Sequence, residues 1–250
     1  MVLVAVVLAV LMWALQAAPL EWRYALTGVL GLLTWGGVAF ALLDGLSGIE
    51  WITVPLSSVL LTVGAGLFYV LLPPSFFARL TIIALFGVGQ YALMLSGNIF
   101  SVAAIRTIAL VRAASAVEFV MSLLTGFLLF NTILSFRLTF WFTGLWVAVV
   151  SFLLLLPGLW SVQLLQKLTR QVLLYSGVLA VLMGLSAVAV AFWPISLSVN
   201  SLFLCTMLYI YLGISQHHFS QRLFSKTVGE YVTVGAVVVV TMLLTAGWGV

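Results

Sequence analysis

Long apolar runs separated by short polar breaks dominate the chain. The runs from Val2 to Leu15 and from Tyr231 to Ala246 show no alternation of apolar and polar residues, so they do not resemble the strands of a membrane β-barrel. Crossing a bilayer as an α-helix takes about 20 apolar residues. Proline, glycine and charged residues mark the breaks. The pattern predicts nine transmembrane helices, at 2–18, 24–43, 51–72, 79–96, 113–134, 138–156, 172–193, 198–214 and 231–248.

The spans follow one another without a soluble insertion, a low-complexity tract or a convincing internal repeat. We therefore expect a single integral membrane domain over 1–250, folded as an all-α polytopic transmembrane helix bundle with short loops. No Lys or Arg precedes Arg23, so the first run lacks the basic start of a signal peptide and is interpreted as a retained helix. Its cleavage would leave eight spans in the same orientation.

Three connections, at 97–112, 159–171 and 215–230, are longer than a tight turn. We expect short amphipathic helices in the headgroup plane in at least two of them. For the middle connection, the alternative is that span six simply continues beyond the bilayer. The candidate headgroup contacts in these connections are basic or histidine side chains: Arg106, Arg112, Lys167, Arg170, His217, His218, Arg222 and Lys226.

The composition excludes a soluble protein. Charged residues make up 6% of the chain, against about 25% in soluble domains. The same shortage of charge excludes disorder and a nucleic-acid platform, and a single cysteine, Cys205, excludes a disulfide-stapled fold. The expected partners are the lipid bilayer and other membrane protein subunits.

The basic residues of the loops predict the orientation. Alternating spans place six bases on the side of the N-terminus and three on the other side. Because basic loops stay in the cytoplasm, we expect a cytoplasmic N-terminus and an outer C-terminus. The expected location is the cytoplasmic membrane of a prokaryote.

One acid, Glu118, falls inside a predicted span. Hydroxyl residues at helical spacing place it on a polar stripe of span five. A carboxylate at this depth should take a hydrogen-bonding partner or bind a proton. Two interpretations stay open. The first is a cavity lining with Glu118 as a proton or cation site. The second is helix packing, in which the small hydroxyl residues allow close approach and the acid lies near headgroup level or pairs with Arg112 or Arg106. The other polar members of the stripe are Ser115, Ser122, Thr125 and Thr132.

Two further features concern contacts between spans. Span four brings Gln90 and Tyr91 to a depth close to that of Glu118, and we predict a Gln90–Glu118 contact. Asn131, the other deep amide, is expected to form an interhelical hydrogen bond. Span seven carries a stripe of small residues that allows close helix packing: Gly177, Ala180 and Gly184.

The sequence offers no recognisable catalytic set. Asp44 is the only aspartate, so an aspartyl dyad is excluded, and no Gly-x-Ser-x-Gly elbow, zinc-protease motif, Walker motif or dinucleotide fingerprint occurs. His217 and His218 have no nearby Cys or Asp and are interpreted as solvated interfacial residues. We therefore expect no metal and no cofactor.

The predicted function is that of a structural, assembly or partner-binding membrane component. The alternative is a small-solute or ion transporter that uses the polar stripe of spans four and five. A third and more distant hypothesis is an enzyme that acts on a lipid headgroup through His217 and His218.

Overall fold

The chain is helical in the residues that the structure, a computed structural model, describes, which are 1–43, 45–72, 76–103, 108–165 and 167–247. They form α-helices joined by short connections and contain no strand, so the predicted all-α class is confirmed. A short 3-10 helix, Leu15–Ala17, follows the first α-helix. The α-helices are α1 Val2–Ala14, α2 Leu20–Ala41, α3 Glu50–Leu71, α4 Phe76–Ala103, α5 Ile108–Ser135, α6 Phe140–Gln163, α7 Arg170–Val190, α8 Leu197–Phe219 and α9 Ser225–Thr245.

Eight of the described helices, α2 to α9, are long and apolar enough to cross a bilayer, as in a multi-pass membrane protein. The helix α1 has 13 residues, or about 20 Å of length, which is less than the roughly 30 Å of a hydrocarbon core. It ends where the chain tightens into the 3-10 helix, after which Pro19 caps α2. The α-helix is therefore shorter than the span predicted for 2–18.

The helices reach further into the longer connections than the sequence predicts. Helices α4 and α5 have 28 residues each, and α8 continues to Phe219. Helix α6 passes through Pro157 and ends only at Gln163, as the alternative for the middle connection proposed. In the described parts of these connections, polar residues therefore extend the long helices and form no separate amphipathic helix.

Helix α6 contacts α8 just past Pro157, whose ring removes one backbone donor from the helix. The carbonyl oxygen of Gly158 accepts hydrogen bonds from Ser161 Oγ and from Gln216 Nε2 of α8, both at 2.9 Å. Gly158 also packs against Leu212, since an added Cβ would lie 2.9 Å from Leu212 Cδ1. The last turns of α6 are thus stabilised by tertiary contacts.

The first of two compact units comprises Met1–Leu129 and Leu164–Leu168. In this unit, α3 contacts α2 and α4, while α1 contacts α2 and α4. Its apolar core contains residues from the helices α1 to α5, among them Met12, Leu30, Leu61, Phe86 and Met121. The helix α3 therefore has protein neighbours on several sides. The site described below lies where these neighbours contact α3.

Glu50 fixes the start of α3. Its Oε2 accepts hydrogen bonds from the Ser47 N–H at 2.9 Å and from Ser47 Oγ at 3.3 Å, and its own N–H donates to Ser47 O. The bond from the Ser47 N–H to the Glu50 carboxylate corresponds to one half of a Ser-x-x-Glu capping box; the Ser47 hydroxyl donates to the same carboxylate and does not accept from the Glu50 N–H. Although Glu50 is buried, its carboxylate is used at the helix terminus.

The second unit comprises Phe130–Gln163 and Thr169–Val250. Helix α6 packs along α7, and α8 contacts α6, α7 and α9. The backbones of α6 and α7 approach closely at Gly144 and Gly184, because a Cβ added to Gly184 would lie 2.7 Å from Gly144 O. Gly184 therefore allows the close packing that the small residues of span seven predict.

Candidate functional site

The polar stripe of α5 lies on a buried face of the helix. Glu118 is 4% exposed, and Ser122 and Thr125 are also buried. Ser115, one turn nearer the start of the helix, is half-buried. These side chains therefore lie in the protein interior and not on the surface that faces lipid.

Glu118 is hydrogen-bonded to α3. Ser57 Oγ donates to Glu118 Oε1 at 2.5 Å, and both side chains are buried. Of the two cations expected to anchor the acid, Arg112 is exposed and Arg106 lies outside the described residues. A hydroxyl group of a neighbouring span is thus the described partner of this carboxyl group.

Gln90 also bonds to α3, one residue further along. Its Nε2 donates to Ser58 O at 2.8 Å and to Thr62 Oγ1 at 2.6 Å, and its side chain is fully buried. The predicted contact between Gln90 and Glu118 stays a prediction, but no direct hydrogen bond joins these two described side chains. The reason is that α3 offers both side chains partners of its own.

Tyr91, which the sequence predicts on the polar stripe, does not belong to this site. It is 40% exposed and lines a groove between α1 and α4. Neighbouring residues of a helix point in directions about 100° apart. Because Gln90 faces α3, Tyr91 faces outward.

Two threonines extend the network to α2. Thr34 Oγ1 and Thr62 Oγ1 lie 2.9 Å apart and are fully buried. Each hydroxyl also lies within 2.9 Å of a carbonyl oxygen of its own helix, at Leu30 and Ser58 respectively. Two hydroxyl protons thus serve three short contacts, so one threonine shares its proton or gives up its intrahelical bond.

We call the connected group on α2, α3, α4 and α5 the polar cluster. Sequence reasoning found its members on α4 and α5 and missed those on α2 and α3. The available signal was the i, i+4 spacing of Thr53 with Ser57 and of Ser58 with Thr62, which places two pairs of hydroxyl groups on two faces of α3. The polar cluster consists of Thr34, Ser57, Ser58, Thr62, Gln90 and Glu118.

Two buried atoms of the polar cluster, Ser58 Oγ and Gln90 Oε1, have no hydrogen-bond partner among the described residues. Most buried polar atoms in proteins have such a partner. The polar cluster therefore has an unused hydroxyl and an unused carbonyl oxygen close to the bonded groups. Both can bind hydrogen-bonding groups, but they do not form a set with a nucleophile and a base.

The contact between Thr34 and Thr62 is expected to contribute a measurable coupling energy. A double-mutant cycle of Thr34→Val and Thr62→Val should give about 0.6 kcal/mol and at most about 1.7 kcal/mol, the range for interhelical hydrogen bonds in membranes. Unfolding in mixed micelles by titration with sodium dodecyl sulfate measures it. The matched cycle uses Thr27→Val with Thr62→Val, because buried Thr27 donates to Arg23 O of its own helix. That cycle should be additive, and equal coupling in both cycles would contradict the assignment.

Asn131 lies in the second unit and bonds between helices. Its Nδ2 donates to Ser201 Oγ of α8 at 3.2 Å. This is the interhelical hydrogen bond expected from its depth. Asn131 is therefore not part of the polar cluster.

The histidines lie in the last turn of α8, and the described basic residues of the connections lie near the ends of helices or between them. His218 is exposed and its Nε2 lies 3.3 Å from the Tyr175 hydroxyl, while His217 is half-buried near the ring of Tyr231. In the described ranges, no three His, Cys, Asp or Glu side chains come together as metal ligands would. Contact with lipid headgroups stays a prediction for the exposed bases, which are Arg112, Lys167, Arg170, Arg222 and Lys226.

Comparison with known proteins identifies a family. No curated protein and no solved structure matches the chain. A family model matches residues 51–245, which include nearly all of α3 and the helices up to the end of α9. Because this match covers well over half of the sequence, the chain belongs to the family described as "Protein of unknown function (DUF5656)".

Proposed function

We propose that the protein is a structural, assembly or partner-binding component of a membrane and not an enzyme. The observation that carries this proposal is the burial of the polar cluster, in which hydrogen bonds join four helices of one unit. Thr34, Thr62 and Gln90 are fully buried. Polar groups packed in this way hold helices in a fixed arrangement, as interhelical hydrogen bonds do in membranes.

The surface of α9 supports a role in binding lipids or other subunits. Of its residues, only Tyr231 and Met242 are buried. Val232, Val237 and Leu244 are more than half exposed. A helix with such an apolar surface needs lipid or a partner helix around it, which fits an assembly component.

The proposal includes a location in a membrane. The eight long apolar helices fit a multi-pass protein. We infer that this membrane is the cytoplasmic membrane of a prokaryote. The excess of basic residues in alternate connections supports a C-terminus on the outside. A cytoplasmic N-terminus requires, in addition to the eight long helices, that residues 2–18 cross the bilayer as a ninth span.

One observation favours a second candidate, a small-solute or ion transporter. Glu118 is an acid within a span, and its described partner is the neutral hydroxyl of Ser57. The nearby Ser58 Oγ and Gln90 Oε1 have unused hydrogen-bonding capacity among the described residues. Buried acids of this kind carry protons or cations in many transporters.

Substitution of Glu118 by glutamine separates the two candidates. The amide oxygen of Gln can still accept the hydrogen bond from Ser57, so we expect a free energy of unfolding within about 1 kcal/mol of the wild type. If the structural role is correct, proton movement into reconstituted vesicles, followed with a trapped pH-sensitive dye, is the same for both proteins. If the transporter role is correct, the wild type moves protons and Glu118→Gln does not.

The matched control is Glu21→Gln, which removes an exposed carboxylate near the start of α2. It should leave both the stability and the proton movement unchanged. Proton movement in the wild type that is lost in Glu118→Gln but kept in Glu21→Gln would overturn the structural role.

A further inference from the structure

A groove of about 660 Å³ lies between α1 and α4 in the first unit. Its lining is apolar and includes the small residues Ala9 and Gly87, where the helices are close: a Cβ added to Gly87 would lie 3.5 Å from Ala9 Cβ. The rims are exposed, since Val6 is 56% and Val88 is 68% accessible. The groove is therefore open to the surroundings of the helices and has the shape and chemistry that an alkyl chain needs.

One end of the groove continues into a smaller pocket that contains a cation. Trp13 and Ile83 line both spaces, and Arg79 lines the smaller one, which has a volume of about 160 Å³. The Arg79 Nε is buried and has no hydrogen-bond partner among the described residues. A guanidinium group with an unused donor thus lies where the apolar groove ends.

The surroundings of Arg79 are typical of residues at the level of lipid headgroups. Arg79 lies in the first turn of α4, beside Phe76 and Trp13, whose rings are 65% and 60% exposed. Exposed aromatic rings near helix ends are typical of the membrane interface. From Arg79 to Tyr91, the same face of α4 runs about 18 Å towards the middle of the span.

We propose that the α1–α4 groove binds one phospholipid with a negatively charged headgroup. Arg79 binds the phosphate, because a guanidinium group forms paired, charge-assisted hydrogen bonds with phosphate oxygens. One acyl chain lies along the groove. An apolar helix would fill the groove but would bring no anion to Arg79, whereas a phospholipid satisfies both parts of the surface.

This site is separate from the polar cluster, since its lining includes no member of that cluster. It includes α1, which lies outside the segment matched by the family model. The inference therefore goes beyond the proposed function and does not depend on the role of Glu118.

Lipid retention tests the proposal. Full-length protein is purified in detergent, mixed with equal amounts of phosphatidylglycerol and phosphatidylcholine, and examined by native mass spectrometry. The wild type should retain one phosphatidylglycerol in preference to phosphatidylcholine. Arg79→Gln should lower this preference by about fivefold or more, the effect of about 1 kcal/mol per basic residue near anionic lipid. Arg137→Gln, which changes an exposed arginine on the α5–α6 connection, should keep the preference.

A second variant tests the acyl-chain part of the site. Ala84→Trp places a large ring in the groove from an exposed position and should abolish retention of both lipids. Its control is Val178→Trp at a position of α7 that is 60% exposed, and size-exclusion chromatography with circular dichroism verifies that each variant is folded.

Several results would overturn the proposal. Equal retention of the two lipids by the wild type would remove the role of charge. A preference that is unchanged in Arg79→Gln, or lowered equally in Arg137→Gln, would remove the role of Arg79. Lipid retained by folded Ala84→Trp would exclude the groove, and a dimer that this variant converts to monomers would assign the groove to a second copy of the chain.

Discussion

Replacement of Gly184 by leucine is expected to destabilise the second unit by about 3 kcal/mol, because the side chain would occupy space filled by the backbone of α6. A Cβ at this position would lie 2.7 Å from Gly144 O and 3.0 Å from Ala148 Cβ. A flexible side chain can move away from such a contact, but a helix backbone cannot. The α6–α7 pair must therefore separate, and the packing along both helices is weakened.

Gly177→Leu is the matched control on the same helix. Gly177 belongs to the same stripe of small residues, but no atom lies within 4 Å of its ideal Cβ position. Since leucine favours a helix more than glycine does, this variant should be as stable as the wild type or more stable by up to about 1 kcal/mol. Titration with sodium dodecyl sulfate, followed by far-ultraviolet circular dichroism, measures both variants. Equal midpoints for Gly184→Leu and the wild type would contradict the close backbone contact.

The helical class could be predicted because lipid allows few solutions. A backbone in hydrocarbon must satisfy its own hydrogen bonds, so the long apolar runs predict helices wherever they occur. The length of α1 was harder to predict, since its apolar character continues through Leu15 up to Pro19. The hydropathy of these residues does not show that the chain forms a 3-10 helix before this proline, so the α-helix ends earlier than the apolar run.

Helix ends in the polar connections depend on tertiary contacts that one sequence does not reveal. Pro157 and Gly158 are a typical signal for the end of a helix. The helix nevertheless continues to Gln163, and its last turns are held by contacts of Gln216 and Leu212 of α8 with Gly158. These partners are more than 50 residues away in the sequence, and local patterns carry no information about them.

In the candidate site, too, the sequence predicts the buried face of a helix but not the neighbouring helix that covers it. The periodicity of Ser122 and Thr125 around Glu118 predicts a common face of α5, and this face is buried. Which helix covers that face does not follow from periodicity. The bonds from Ser57 to Glu118 and from Gln90 to Ser58 depend on the placement of α3, so the sequence suggested a direct pair in place of two separate bonds.

Gly177 and Gly184 illustrate why packing is difficult to infer. Both lie on one face of span seven, and both resemble positions for close helix contact. Only at Gly184 of the two does the backbone of a neighbouring helix lie against the glycine. A stripe of small residues therefore predicts that close contact is possible, while the position of the contact depends on the neighbouring helix.

Replacement of Gln90 by alanine is expected to destabilise the first unit by about 2–4 kcal/mol. The change removes the donor to Ser58 O and Thr62 Oγ1 and leaves a cavity at a fully buried position. Interhelical hydrogen bonds in membranes contribute on average about 0.6 kcal/mol each, so the cavity accounts for much of the effect. Gln90→Leu fills most of this volume without the two bonds, and its loss of stability should therefore be smaller.

Tyr91→Ala is the control for this prediction because it changes the neighbouring residue, which is 40% exposed and faces the groove between α1 and α4. We expect it to change the free energy of unfolding by less than about 1 kcal/mol, since its ring is not packed in the core. Titration in mixed micelles ranks the three variants. We expect Gln90→Ala to be the least stable variant, Gln90→Leu to be intermediate and Tyr91→Ala to be the most stable. This order would mean that the hydrogen bonds of the amide and the volume of the side chain both stabilise the packing of α4 against α3. A Gln90→Ala variant as stable as Tyr91→Ala would contradict this role. Gln90 would then not stabilise the packing of these helices, and the polar cluster would need a role other than packing.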